Sequence, residues 1–402
     1  FNNNKFMSKN NIKNSLKTGS DKDGYFGEYG GIAAGENLMH NLEELKNAFE
    51  DAIKDKKFLD EFAYHCKHWI GRPSPIYFAE NLTKMIGGAK IYFKQEHLNH
   101  TGSHKPTNTL FQVLLAKRMG KKKIICESGA GQHWSAAAAT AAKFSMPIFG
   151  VMGNIDCKRI NQNIIKARHY GGKLKIVPGS LREAITAAIK EWSNNPDYYY
   201  LIGSTCSSAP FVDIVRYAQS IIGKEMREQF MELEGKLPNE IVGCAGAGSN
   251  FSGSIHEFLD EPEIKKVVVE AEETAALTDG TKGIMQGMVT KFLQSDDGSK
   301  SLGGTSLGAG IMYYGISPQL AHLNDIGAIE ASVASDKELL ETYKLVAQNE
   351  GIGISFEPAA AITEALKRAK GKPKDYIICA TCCGRVEKDL DVIEKLIGKD
   401  FE

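Results

Sequence analysis

The chain has 402 residues, 42% of them apolar and 24% charged, enough for two domains with substantial cores. Lys+Arg and Asp+Glu number 49 each, so net charge argues for neither nucleic acid nor an anionic membrane as partner. No apolar run approaches a membrane span, and the eight cysteines are scattered, several of them inside apolar runs (Cys126, Cys244, Cys379), which suits a reducing cytoplasm better than a disulfide scaffold.

Residues 1–24 form a polar segment that is Asn/Lys-rich at its start and lacks the apolar stretch of a signal peptide, with Met7 the expected start. Tyr25-Phe26-Gly27-Glu28-Tyr29-Gly30-Gly31 is an aromatic and glycine segment expected to dock on the body. Asn41 with Glu44 suggests a capping box, and Leu42, Leu45, Phe49 and Ile53 line one face of the helix that follows. From Gly87 onward, apolar runs at Ile91–Phe93, Ile124–Cys126, Ile148–Met152, Leu174–Val177 and Tyr198–Ile202 are each followed by a turn and a helical pattern. A helical stretch from Phe211 to Glu234 leads to a second series at Ile241–Cys244, Val267–Val269 and Ile377–Cys379. This alternation predicts an α/β fold with mostly parallel, helix-covered sheets. The expected domains are 25–218 and 219–402, with ligands at the carboxyl ends of strands. The glycine-rich region 279–310 fits neither series and is expected to be a mobile or regulatory segment.

Four stretches carry chemistry. In Glu96–Asn108, turn residues Asn99–Ser103 bend the chain and Pro106 suits the first turn of a helix. That fixes Lys105, next to His104, at a helix mouth, where the dipole and burial both favour the neutral amine. Such an amine attacks carbonyls and is the usual tether of pyridoxal phosphate; the competing reading is a surface lysine that begins a helix. Gly246-Ala247-Gly248-Ser249-Asn250, between a strand and a helix, makes a phosphate cradle of backbone N–H groups and the Ser249 hydroxyl. A dinucleotide fingerprint, with Glu270 on the ribose, is the rival, but Phe251 stands where its third glycine belongs. Glu127 followed by Ser128-Gly129-Ala130-Gly131-Gln132-His133 is a second nest, suited to a substrate carboxylate beside a general acid/base. Cys383 ends the last strand, where a polar side chain can meet a ring nitrogen, and Glu357 precedes a helix that it can also simply cap. One C-x-x-C at Cys379–Cys382, with no second pair, gives no metal site.

Leu98–Lys105 resembles the pyridoxal-lysine segment of the tryptophan synthase β-chain family, a fold type II pyridoxal phosphate family. Tyr25–Gly31, Gly71-Arg72-Pro73, Glu127–His133, Gly246–Asn250 and Gly384-Arg385 with Lys388-Asp389 resemble its other motifs, in the same order. The resemblance implies a lyase making L-tryptophan from indole and L-serine by β-replacement. It makes Lys105 the Schiff-base lysine and Glu127 the acid/base. His104 and Gly246–Asn250 become phosphate contacts, Ser128–His133 the carboxylate loop, and Glu357 a carboxylate near the cofactor. Arg182 resembles the residue that pairs with an α chain, and Arg159 the arginine of the closed state. The family's habits add a homodimer and room for a monovalent cation.

Departures concern the substrates. Cys383 replaces the serine facing the pyridine nitrogen, and Met312 the aspartate that reads the substrate hydroxyl. Met285 and Gln286 replace the aromatic pair of the indole pocket, and Trp134 the glycine after the loop histidine. Two other readings stay open: a paralogue using a different donor or nucleophile, and a catalytically idle chain that binds cofactor or an α-like partner.

Overall fold

The apolar runs become strands covered on both faces, because a parallel sheet must be shielded by its crossover helices. The computed structural model describes residues 15–158, 161–298 and 300–397. Its strands are β1 (Tyr25–Phe26), β2 (Tyr29–Gly30), β3 (Ile76–Phe78), β4 (Lys90–Lys94), β5 (Lys123–Glu127), β6 (Ile148–Gly153) and β7 (Lys173–Val177). They continue as β8 (Tyr198–Tyr200), β9 (Glu240–Cys244), β10 (Lys265–Ala271), β11 (Thr281–Met285), β12 (Met288–Phe292), β13 (Glu330–Ala334) and β14 (Ile377–Thr381).

A six-stranded sheet runs β13-β10-β9-β14-β4-β3, parallel except for the edge pair β3–β4. A four-stranded parallel sheet runs β7-β6-β5-β8. After β4 the chain leaves the large sheet, builds the small one, and returns at β9. Sheet membership therefore crosses residue 218: β3 and β4 lie in the large sheet with strands from the second half of the chain. The helix Lys105–Arg118 joins the two sheets and is buried over most of its length.

Region 279–310 is partly ordered as a hairpin. β11 and β12 pair antiparallel, and β12 pairs with β2, so the aromatic N-terminal segment docks there. Two helix expectations need correction. The first helix spans Glu36–Ala52 with Gly35 as its cap, so Asn41 lies inside it, and Glu44 pairs with Lys121 at 2.6 Å. The stretch Phe211–Glu234 is two helices, Phe211–Gln219 and Ile221–Glu234, parted at Ser220. The Ser220 hydroxyl donates back to the Tyr217 carbonyl at 2.7 Å, a local bond that competes with the helix ladder.

Trp134 is fully buried on the helix Gln132–Lys143. Two glycines make room for it. A Cβ on Gly150 would sit 2.6 Å from the Trp134 Cδ1, and one on Gly172 3.2 Å from its Nε1.

The loop that delivers Lys105 is held by a buried ion cluster. Arg72 donates two parallel bonds to Glu96, both 2.8 Å, two to Glu225 at 2.9 and 3.1 Å and one to Thr107 Oγ1 at 3.2 Å. Lys94 donates to Glu225 at 2.7 Å, and Asn99 to Glu96 at 2.8 Å. Glu96 and Thr107 lie on either side of Lys105 in sequence, so one guanidinium pins both ends of the segment. Removing one partner of a buried pair strands the remaining charges and typically costs about 3–5 kcal/mol. Arg72→Ala is expected to lower stability by about that much, read as a fall in the urea midpoint. A change no larger than that of an exposed pair, under about 1 kcal/mol, would show that the cluster does not hold the loop.

Candidate active site

The carboxyl ends of β5, β8, β9 and β14 meet at a cavity of about 200 Å³. Glu127 and Tyr200 enter it as the last residues of neighbouring parallel strands, while Cys244 ends β9 and Cys383 lies two residues past the end of β14. Lys105 reaches it from the first turn of its helix, with Pro106 following in that turn.

Withdrawal from water sets the protonation of these groups. Burial lowers the Lys105 amine below the ordinary lysine range, opposed by Cys383, Glu357 and Cys244. Burial, with Lys105 adding to it, lowers the His104 imidazole to about 3, so the ring is neutral. His104 Nδ1 lies 3.3 Å from the Cys383 carbonyl, which only accepts. Nδ1 therefore carries the proton, and Nε2, 3.3 Å from Ser249 Oγ, accepts from that hydroxyl. His133, lowered to about 4 mainly by burial, donates from Nε2 to the Leu201 carbonyl at 2.9 Å. Burial pushes the Glu127 carboxyl up to about 7, against a pull from the Tyr200 hydroxyl. A carboxyl poised there both gives and takes protons at neutral pH.

The loop Gly246–Asn250 forms one wall. Gly248 adopts φ 104°, which favours glycine, and a Cβ on Gly246 would lie 2.4 Å from the Gly310 carbonyl. Asn250 donates to the Cys244 carbonyl at 2.8 Å, leaving its own Oδ1 buried without a protein partner. Glu357 is fixed by three neighbours: the Gly310 N–H at 2.6 Å, the Ser355 hydroxyl, and Lys388 at 2.9 Å. Burial alone would raise its pKa, but Lys388 outweighs it and keeps the carboxylate charged.

The cavity gathers most of the candidates read from the sequence. His104, Lys105, Glu127, Glu357, Cys383 and all of Gly246–Asn250 line it, as do Ser128, Gly129, Ala130, Gln132 and His133. Gly131 instead turns the chain behind the wall, at φ 71°, as the residue before the helix Gln132–Lys143. Met312 and Gln286 line the cavity, while Met285 packs behind it with Met288, Phe292 and Tyr313. Arg182 is exposed and donates to Ser301 at 2.8 Å; Arg159 lies outside the described residues. Glu270 serves the chain itself. It accepts from the Leu277 and Thr278 N–H groups at 2.7 and 3.0 Å and closes the turn after β10, which leaves no carboxylate free for a ribose.

Sequence reasoning missed Tyr200 and Tyr313. No sequence signal singled out Tyr200, which pairs in register with Ile125, two residues before Glu127. Tyr313 follows Met312 and donates to Gln286 Oε1 at 3.0 Å, closing the cavity with a polar pair.

A family model described as pyridoxal-phosphate dependent enzyme matches residues 70–384. The chain is 43% identical to the tryptophan synthase beta chain of Allorhizobium ampelinum, over 98% of this chain and 99% of that one. It is 41% identical to the one from Dinoroseobacter shibae, over 96% and 98%. The chain belongs to the tryptophan synthase β-chain family. That family is one of pyridoxal-phosphate dependent enzymes of fold type II, and the cavity suits the cofactor on its own evidence. It offers a withdrawn amine, a glycine loop that a Cβ would fill, a hydroxyl in that loop, and Glu127 and Asn250 oxygens buried without protein partners. Among the described residues no group of three His, Cys, Asp or Glu is placed to hold a metal ion.

The Glu127 carboxyl also predicts a pH dependence. Its pKa rises from 4.5 unfolded to about 7 folded, so between these values the folded chain binds the extra proton. Its contribution is fully present below about 4.5 and is lost as pH rises through about 7. Glu127→Gln removes this titration. Between pH 5 and pH 8 the variant should gain on the parent by up to about 3 kcal/mol in urea unfolding without cofactor. A difference independent of pH would mean that Glu127 is ionised throughout.

Proposed function

We propose that the chain makes L-tryptophan from indole and L-serine by β-replacement, as a pyridoxal-phosphate dependent carbon–oxygen lyase. The observation that carries the reading is that Lys105 and a Glu127 carboxyl near pKa 7 line one cavity in a chain 43% identical to a tryptophan synthase beta chain over nearly its whole length. Bound pyridoxal phosphate would supply an aldehyde for the amino nitrogen and an electron-withdrawing ring that acidifies the α-carbon.

The residues divide the remaining work. The Lys105 amine would hold the cofactor through its aldehyde, and burial, which favours the uncharged amine, suits it to take the α-proton. Gly246–Asn250 would hold the phosphate through backbone N–H groups of the loop. His104, neutral, backs that wall without adding charge. Ser128–His133 receive the substrate carboxylate. Glu127 gives its proton to the departing β-hydroxyl and then helps the incoming nucleophile. Cys383 would offer the ring nitrogen only a weak donor, which suits an uncharged pyridine. Retention of both the amine and the carboxyl speaks against an idle chain.

Partners follow the same reading: an α chain meeting the exposed Arg182 side, and a second copy as homodimer. A cytoplasmic setting agrees with the scattered free thiols, and among the described residues no helix is long and apolar enough to cross a membrane.

Lys105→Ala should abolish both turnover and the absorbance of lysine-bound cofactor. A borohydride-stable cofactor adduct on that variant would move the tether elsewhere.

Met312 stands where the resemblance places the family's aspartate that reads the substrate hydroxyl. Met312 lines the cavity, and a thioether is a weak acceptor without charge. A site built to bond a hydroxyl discriminates strongly for it, and one lacking that partner does not. The expected result is a weaker preference for L-serine, with higher kcat/KM on O-acetyl- or O-phospho-L-serine at saturating indole. Met312→Asp should swing the ratio back toward L-serine by tenfold or more. A parent enzyme that already prefers L-serine strongly would remove any role for Met312 in donor choice.

A further inference from the structure

Two thiols meet on the floor of the cavity. The Cys244 and Cys383 Sγ atoms are 3.5 Å apart, and both residues line the cavity. Cys244 ends β9, and Cys383 lies two residues past the end of its parallel neighbour β14, in which Ala380 is opposite Val242. Carrying that register two residues further puts Cys382 opposite Cys244 and Cys383 one step on. The sulfurs are in contact at 3.5 Å, so a disulfide of about 2.05 Å needs them to close by roughly 1.5 Å.

We propose that Cys244 and Cys383 form an oxidisable dithiol, a modification site at which a peroxide closes a disulfide across the ends of β9 and β14. The steps balance. The Cys383 sulfur attacks hydrogen peroxide, the O–O bond breaks, and a sulfenic acid and one water result. The Cys244 sulfur then displaces the hydroxyl, the S–S bond forms, and the Cys244 proton leaves with that hydroxyl as a second water. Two thiols lose two electrons and two protons, and the peroxide is reduced to water.

The bond would disturb the cofactor wall at two points. Asn250, which stands at the end of the glycine loop, donates to the Cys244 carbonyl at 2.8 Å and has its Nδ2 3.7 Å from the Cys244 sulfur. His104 is held by the Cys383 carbonyl. Drawing the two cysteines together pulls on both, and removes the thiol facing the ring. This consequence for affinity rests on the cofactor reading; the disulfide itself does not.

The test uses the full chain, stripped of and loaded with pyridoxal phosphate. Each form is treated with a few equivalents of hydrogen peroxide, alkylated under denaturing conditions, and analysed by peptide mass and fragmentation. The stripped chain should lose two alkylatable thiols and show a peptide pair linked through Cys244 and Cys383, reversed by dithiothreitol. Its affinity for pyridoxal phosphate, from absorbance titration, should fall tenfold or more until it is reduced. The loaded chain should resist oxidation. Cys382→Ser should behave as the parent, and Cys244→Ala should form no link. Fragmentation of the parent locates the bond even if a variant does not fold. Single-thiol oxidation without a link, or a link through Cys379 or Cys382, would overturn the proposal. A linked chain whose affinity is unchanged would overturn its effect on the cofactor. A chain that never binds pyridoxal phosphate would overturn the functional reading and leave the disulfide standing.

Discussion

A single buried guanidinium holds the reactive segment in place. Arg72 reaches Glu96 before the Lys105 loop, Thr107 after it and Glu225 on the helix Ile221–Glu234. Burying these charges is costly, and apolar residues of the same volume can be as stable. What an ion cluster supplies here is direction. The planar fork meets both Glu96 oxygens in a fixed, bidentate geometry and so sets the direction in which the loop leaves Glu96. The loop includes Thr101 at φ 69°, a conformation that a threonine holds only when its surroundings fix it. Lys105 is thus positioned by electrostatics several residues away from its own side chain.

The same exclusion of water that makes the cluster expensive makes the site reactive. Burial is the first cause of the shift at Lys105, His104, His133 and Glu127, and in each it favours the neutral form. Burial therefore yields two uncharged imidazoles and a protonatable carboxyl in one cavity, and shifts the amine beside them toward its neutral form. Glu357 escapes this trend because Lys388 sits 2.9 Å away. It stays charged and spends that charge on the Gly310 N–H, fixing the turn that leads to Met312.

Much of this was legible in the sequence, and for identifiable reasons. Strand–helix alternation has a period, and glycines at strand ends announce close backbone approaches, so the sheets and both nests could be read from the letters. What escaped depended on contacts between distant segments. Arg72 was visible only as part of a motif, because its partners lie 24 and 153 residues away. The Asn41 cap failed because Gly35 starts the helix earlier, and a capping pair inside a helix looks the same in sequence. Glu270 sat at a spacing suited to a ribose, and only its bonds to the turn after β10 reveal a structural duty. Trp134 reads as a disruption next to the carboxylate loop until Gly150 and Gly172 are seen to yield the space.

The substrate side of the cavity shows how such compensation bears on chemistry. The sequence suggests a pocket loosened by Met285 and Gln286, but only Gln286 faces it. Met285 fills the space behind, where a Cβ on Gly315 would lie 2.3 Å from its Cε. Tyr313 enters in its place as the aromatic wall, its hydroxyl bonded to Gln286. The hairpin turn sets Gln286 at φ 49°, a strained backbone for a side chain that reaches Tyr313. An aromatic side chain thus still lines the cavity, supplied from a different element and tied by a polar bond. Loss of an aromatic pair at two positions is therefore no measure of how tightly this pocket holds a ring; the contact that decides it is the one between Tyr313 and Gln286.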